Sequence, residues 1–150
     1  MASLEEEIKQ KRFKNEHHKL ALNIMFTASW LETESKRFFK KYNLTPQQYN
    51  VLRILRGQFP NPAPCNLIQE RMLDRSSNIT RLIDKLVLKK LVSRKENKLN
   101  RRMQDIVITD KGMQLLAEMD SLMDSWHQML ETLNNVEAKS LNELLDKLRG

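Results

Sequence analysis

The stretch SSNITRLIDKLVLKK, Ser76 to Lys90, decides how the rest of the chain is read. Its apolar residues Ile79, Leu82, Ile83 and Leu86 recur at helical spacing, so one face of a helix is greasy. The same period turns Ser77, Asn78, Thr80, Arg81, Asp84 and Lys85 to the opposite side. Ser76, small and polar just ahead of the stripe, is the expected N-cap.

Working upstream, a second and shorter helix is expected from Pro64 or Cys65 to about Leu73, with Leu67, Ile68 and Met72 inward. Only about four residues, Leu-Asp-Arg-Ser, separate the two, a gap suited to helices that cross steeply in a helix-turn-helix unit. Before it, FPNPAP places three prolines within five positions and predicts irregular chain. Earlier still, Thr45 reads as an N-cap with Pro46 at the first helical position. Gln48 completes a capping box, and Leu44 with Tyr49 forms a hydrophobic staple. That helix runs to about Gly57 and buries Tyr49, Leu52, Ile54 and Leu55.

Downstream of Leu91 the period becomes extended. LVSRKE and QDIVIT are rich in β-branched residues and flank the basic NKLNRRM, which predicts a two-stranded hairpin with a charged tip. The tip lacks an Asn-Gly or Asp-Gly pair, so a longer loop is expected there. Thr109 is placed to cap a long helix whose Leu116, Met119, Met123, Trp126, Leu130 and Leu133 fall at heptad spacing. Asn134 and Glu137 then start a last helix with Leu141, Leu144, Leu145 and Leu148. At the other end, Leu20, Ile24, Leu31 and Phe38 roughly align, with Met25, Ala28 and Phe39 beside them and no proline before Pro46, so the N-terminal third reads helical. The fold class expected is mainly α with a small β-hairpin: a winged helix-turn-helix over residues 43–109, between helical segments 1–42 and 110–150.

Charge divides along the same boundaries. Of the net +7, residues 43–109 carry 13 Lys/Arg against 5 Asp/Glu, residues 1–42 carry 9 against 6, and residues 110–150 carry 4 against 8. A basic block of this size suits a polyanion, either nucleic acid or an anionic membrane surface. The fold chooses between them. A major groove about 12 Å wide admits one helix, and its base edges are read by side chains such as those facing out from residues 76–90. Ser76, Ser77, Asn78, Thr80, Arg81 and Lys85 are therefore the candidate DNA-reading residues. At the hairpin, Lys98, Arg101 and Arg102 can reach the backbone or a minor groove, and Arg94 and Lys95 are phosphate candidates at its base.

Residues 65–112, from CNLIQERMLDRSSNITRLIDKL through LVSR to ITDKG, resemble the DNA-binding core of the MarR family of bacterial transcriptional regulators. The flanking helices match that family's layout over nearly the whole chain. The resemblance implies a homodimer with interlocking first and last helices and a recognition helix in the major groove. It also implies a small phenolic or lipophilic effector, or cysteine oxidation, that relieves repression. Three positions depart from the pattern. Where the family wing commonly reads Asp-x-Arg-Asp-Arg-Arg, this chain has Asn97, Lys98, Leu99, Asn100, Arg101 and Arg102, which moves the tip contact to Arg101 or Arg102. Lys90 stands where the family turns on glycine, and must take a less comfortable backbone conformation unless the helix ends differently. Cys65 lies near the start of the third helix, whereas peroxide-sensing members carry their cysteine in the first.

Other chemistry finds little footing. His17 and His18 are adjacent and diverge by about 100° on a helix, so they do not form a metal pair. No nucleophile with its base, glycine-rich phosphate loop or metal spacing is present, so neither an enzyme nor a cofactor is expected. A single cysteine forms no internal disulfide, no apolar run reaches a membrane span, and the acidic start at Glu5, Glu6 and Glu7 is unlike a signal peptide. A cytoplasmic location follows as an expectation. Two rivals stay open: a winged helix used as a protein-interaction scaffold, and a helical small-molecule binder without DNA contact.

Overall fold

The computed structural model describes residues 2–100 and 103–150. Its elements are α1 (Leu4–Glu7), α2 (Glu16–Lys40), α3 (Pro46–Gln58), β1 (Ala63–Pro64), α4 (Cys65–Arg71), α5 (Ile79–Leu88), β2 (Val92–Glu96), β3 (Gln104–Ile108), α6 (Asp110–Gln128) and α7 (Asn135–Arg149). This is the mainly helical, winged helix-turn-helix order expected from the sequence. The chain falls into two compact units, one ending at Asn50 and one running from Val51 to Gly150.

In the first unit, α2 begins where the Asn15 side chain accepts the His18 N–H. It ends in a left-handed turn at Asn43, φ 53°, with the Leu44 N–H donating back to the Phe39 carbonyl at 3.1 Å. Phe39, Leu44 and Tyr49 are buried, and the Phe39 and Tyr49 rings lie 4.5 Å apart. The capping box that opens α3 is present in both directions: the Gln48 N–H donates to Thr45 Oγ1 at 3.1 Å and the Thr45 N–H to Gln48 Oε1 at 3.2 Å. Gln48 is buried, and this reciprocal pairing is what lets a polar side chain sit there.

The second unit is built on a core of Val51, Leu52, Leu55, Ile68, Ile83, Leu86, Ile106, Leu116 and Met119, drawn from α3, α4, α5, β3 and α6. Its sheet has three antiparallel strands in the order β1-β3-β2, not the two expected. Ala63 pairs with Ile106 and Pro64 with Asp105, while Val92 pairs with Ile108 and Glu96 with Gln104. The proline-rich run thus does form regular structure. A proline is tolerated on an edge strand, and Ala63 is small enough to bury completely against β3.

Two further expectations need correction. The cap of α5 is Asn78, whose Oδ1 accepts the Arg81 N–H at 3.0 Å, and Ser76 belongs to the preceding turn. The heptad row also breaks, because α6 ends at Gln128 and leaves Leu130 and Leu133 in tighter turns bonded three residues back. Asn134 then starts α7: its side chain accepts the Val136 and Glu137 N–H groups, and its extended backbone keeps α6 and α7 separate helices.

The junction that positions the site lies between α5, β2 and α6. The Leu91 N–H donates to the Leu86 carbonyl and the Lys90 N–H to that of Val87, a Schellman ending with Lys90 at φ 62°. Thr109 Oγ1 donates to the Lys90 carbonyl at 2.8 Å and accepts the Gly112 N–H at 3.2 Å, and Lys111 Nζ donates to the Lys89 carbonyl at 3.0 Å. Gly112 is required by closeness: a Cβ there would sit 2.4 Å from the Leu91 carbonyl oxygen.

Candidate nucleic-acid interface

The turn between α4 and α5 is built by two side chains. The Asp74 carboxylate accepts the Ser76 N–H at 3.0 Å, the Ser76 hydroxyl at 2.5 Å and the Ser77 hydroxyl at 3.2 Å. Those hydrogen bonds, the Ser76 hydroxyl first, hold its pKa below the usual carboxylate value, so the turn carries a fixed negative charge. From the other side, the Gln69 amide donates to the carbonyls of Arg75 and Ser77. Ser76 and Ser77 therefore stand at the proposed surface with their hydroxyl protons directed at Asp74. Arg75, exposed in the same turn, is a cation that the sequence reading passed over. The Asp-x-Ser spacing of Asp74 and Ser76 was the available signal, since it marks a side-chain-closed turn.

Along α5, Ile79, Ile83 and Leu86 are buried and Leu82 is half-buried, while Thr80, Arg81, Asp84 and Lys85 are exposed. Asn78 is exposed too. Its carbonyl oxygen is engaged as the cap, which leaves the amide N–H groups as its donors outward.

Arg94 does not stand free at the base of the wing. Its guanidinium is ion-paired with Asp84 of α5, and its Nε is buried without an acceptor among the described residues. The pair joins β2 to the outward side of α5, so helix and hairpin form one piece, and it balances one positive charge at the base of the hairpin. Lys95 and Lys98 are exposed, whereas Arg101 and Arg102 lie outside the described residues. At the other end of α5, Lys89 has a lowered pKa, first from partial burial and then from the nearby Lys85 charge.

Among the described residues no three His, Cys, Asp or Glu side chains gather as metal ligands, and no described helix is long and apolar enough to cross a membrane. Cys65, at the start of α4, is half-buried.

No family model matches the chain. The HTH-type transcriptional regulator MgrA of Staphylococcus aureus is 31% identical over 114 residues, 76% of each chain. A MarR transcription factor from Planctomyces limnophilus has a crystal structure that superposes with a TM-score of 0.70 at 30% identity, over 92% of this chain and 98% of that one. The S. aureus MepR chain solved in a DNA complex shares the fold with a TM-score of 0.76 at 20% identity, over 91% and 97%. On the extent of that identity, and with the wing and recognition helix in place, the chain belongs to the MarR family of helix-turn-helix transcriptional regulators.

Proposed function

We propose that this protein is a sequence-specific, double-stranded-DNA-binding regulator that acts as a homodimer on a palindromic operator. In this reading it is a repressor whose occupancy is relieved by a small lipophilic or phenolic effector. The observation that carries the reading is the outward face of α5: Thr80, Arg81 and Lys85 are exposed on a helix locked to a basic wing. Residues 43–109 are the DNA-binding part. Arg81 reads a base edge, with Asn78, Thr80 and Lys85 around it. Ser76 and Ser77 adjust at the backbone through the acceptor side of their hydroxyls, and Lys95, Lys98, Arg101 and Arg102 supply phosphate contacts. Arg94 serves by holding the wing.

Segments 1–42 and 110–150 are assigned to dimerisation. On α7, Leu141, Leu144 and Leu148 lie at heptad-like spacing and face solvent, and on α2 Phe26 and Trp30 do the same one turn apart. A second copy would bury these rows. A dimer also explains why one short helix suffices, because two recognition helices about 34–36 Å apart meet successive major-groove faces. An effector can act only by favouring one such spacing over another.

Selection of bound fragments from random duplex DNA tests this reading. It should yield inverted repeats whose half-sites are separated by about one helical turn or a multiple of it. Recovery of unrelated sequences, or of none, would favour the interaction-scaffold alternative.

A further inference from the structure

The tip of the wing is built around Asn97. Its side-chain amide donates to both carboxylate oxygens of Asp105, at 3.0 and 3.2 Å. Its carbonyl oxygen accepts the backbone N–H groups of Leu99 and Asn100, each at 2.9 Å. Its own N–H donates to the Met103 carbonyl at 3.1 Å, and the Met103 N–H donates to that of Asn100 at 2.9 Å. All of this backbone order presents a leucine: Leu99 is 99% exposed.

Leucine has no charge and no polar atom, so it neither binds a phosphate nor improves solubility. Its neighbours in sequence are cationic, with Lys95, Lys98, Arg101 and Arg102 against the single Glu96. A surface that matches both features is anionic at its rims and apolar in its recess. A DNA minor groove has this character, with phosphates along both edges and sugar walls within. Apolar side chains enter such grooves as wedges, partly unstacking a base step, and they do so at lower cost where the step is flexible.

We propose that Leu99 is a specificity-determining residue of the wing, entering the minor groove beside the half-site as an apolar wedge that favours a deformable A·T step. The proposal rests on the DNA-binding reading above. Specificity at that position comes from the ease of deforming the step and from the absence of the guanine amino group on the groove floor, not from hydrogen bonds to bases. The Asp84–Arg94 pair fixes where the wing leaves α5, and Asn97 fixes the backbone that presents Leu99.

The test compares the full-length protein with Leu99→Ala and Leu99→Arg by fluorescence anisotropy. The probes are the duplex recovered by selection with either a TA or a GC step under the wing, and a scrambled duplex, over a range of salt. Leu99→Ala should weaken binding to the TA duplex about five- to tenfold and to the GC duplex hardly at all, with the salt slope unchanged because no counterion-releasing contact is lost. Leu99→Arg should steepen the slope by about one. The proposal is overturned if Leu99→Ala keeps the wild-type ratio between the two flanks. It is equally overturned if the variant binds DNA normally but changes the oligomeric state in light scattering, which would assign the tip to a protein contact. Wild-type protein that leaves selected and scrambled duplexes equally unbound would remove the DNA-binding reading itself, and this proposal with it.

Discussion

At φ 62°, Lys90 occupies the left-handed region that a side chain makes unfavourable, and it does so to let the Leu91 and Lys90 N–H groups close the end of α5. The sequence foretold that discomfort, because a lysine stands where the family pattern has glycine. Lys90→Gly should relieve it and stabilise the fold by about 0.5–1 kcal/mol, read as a higher midpoint in urea with an unchanged slope. An unchanged or lower midpoint would mean that the lysine side chain compensates for the strain. Other residue roles were less legible. Arg94 read as a phosphate contact because its charge is visible in sequence and its partner ten residues back is not. Ser76 read as a cap because helix starts are legible only to within a turn; Asn78 takes that job two residues on, and Ser76 is bonded instead to Asp74 in the preceding turn.

Among the elements, α3 is fastened to α6 by the Arg56 guanidinium, which donates to both oxygens of Asp120 at 2.8 and 3.0 Å. Arg53 stands 3.9 Å from the same carboxylate. The Arg56 hydrogen bond leads the causes that hold the Asp120 pKa below its ordinary value. A carboxylate whose pKa is lowered by folding contributes stability above its unfolded pKa and loses it as pH falls through the folded one. Asp120→Asn should therefore lower stability at neutral pH by up to about 1 kcal/mol, since both partners are partly exposed. The difference from wild type should begin to shrink as pH falls below about 4 and vanish only once the folded-state carboxylate is itself protonated. A difference that persisted in acid would show that packing, not charge, joins the two helices. Elements with long periodic faces, such as α5 and α6, were legible in sequence, as was the capping box of α3. β1 was not, because two residues carry no period and their pairing with β3 is set by chain more than 40 positions away. The end of α6 was missed because heptad spacing continues to Leu130 and Leu133, past Gln128 where the helix stops.

Over the whole molecule, charge and fold agree. The basic block, residues 43–109, includes α5 and the hairpin that follows it, while residues 110–150 are net acidic. A helical protein with no anionic partner has no reason to concentrate 13 of its 26 Lys/Arg against only 5 of its 19 Asp/Glu within residues 43–109. The fold class was legible because each local signal supported the same arrangement. The identity of bases, operator and effector is not encoded in such patterns, since it depends on side-chain positions against a partner. The most direct measurement is a mobility-shift titration of wild type and Arg81→Ala on the selected duplex and on a scrambled one. Loss of about 1–3 kcal/mol on the selected duplex, with little change on the scrambled one, is the outcome predicted for a base-reading arginine on α5. Unchanged affinity and unchanged sequence preference would contradict the assignment of that face to DNA.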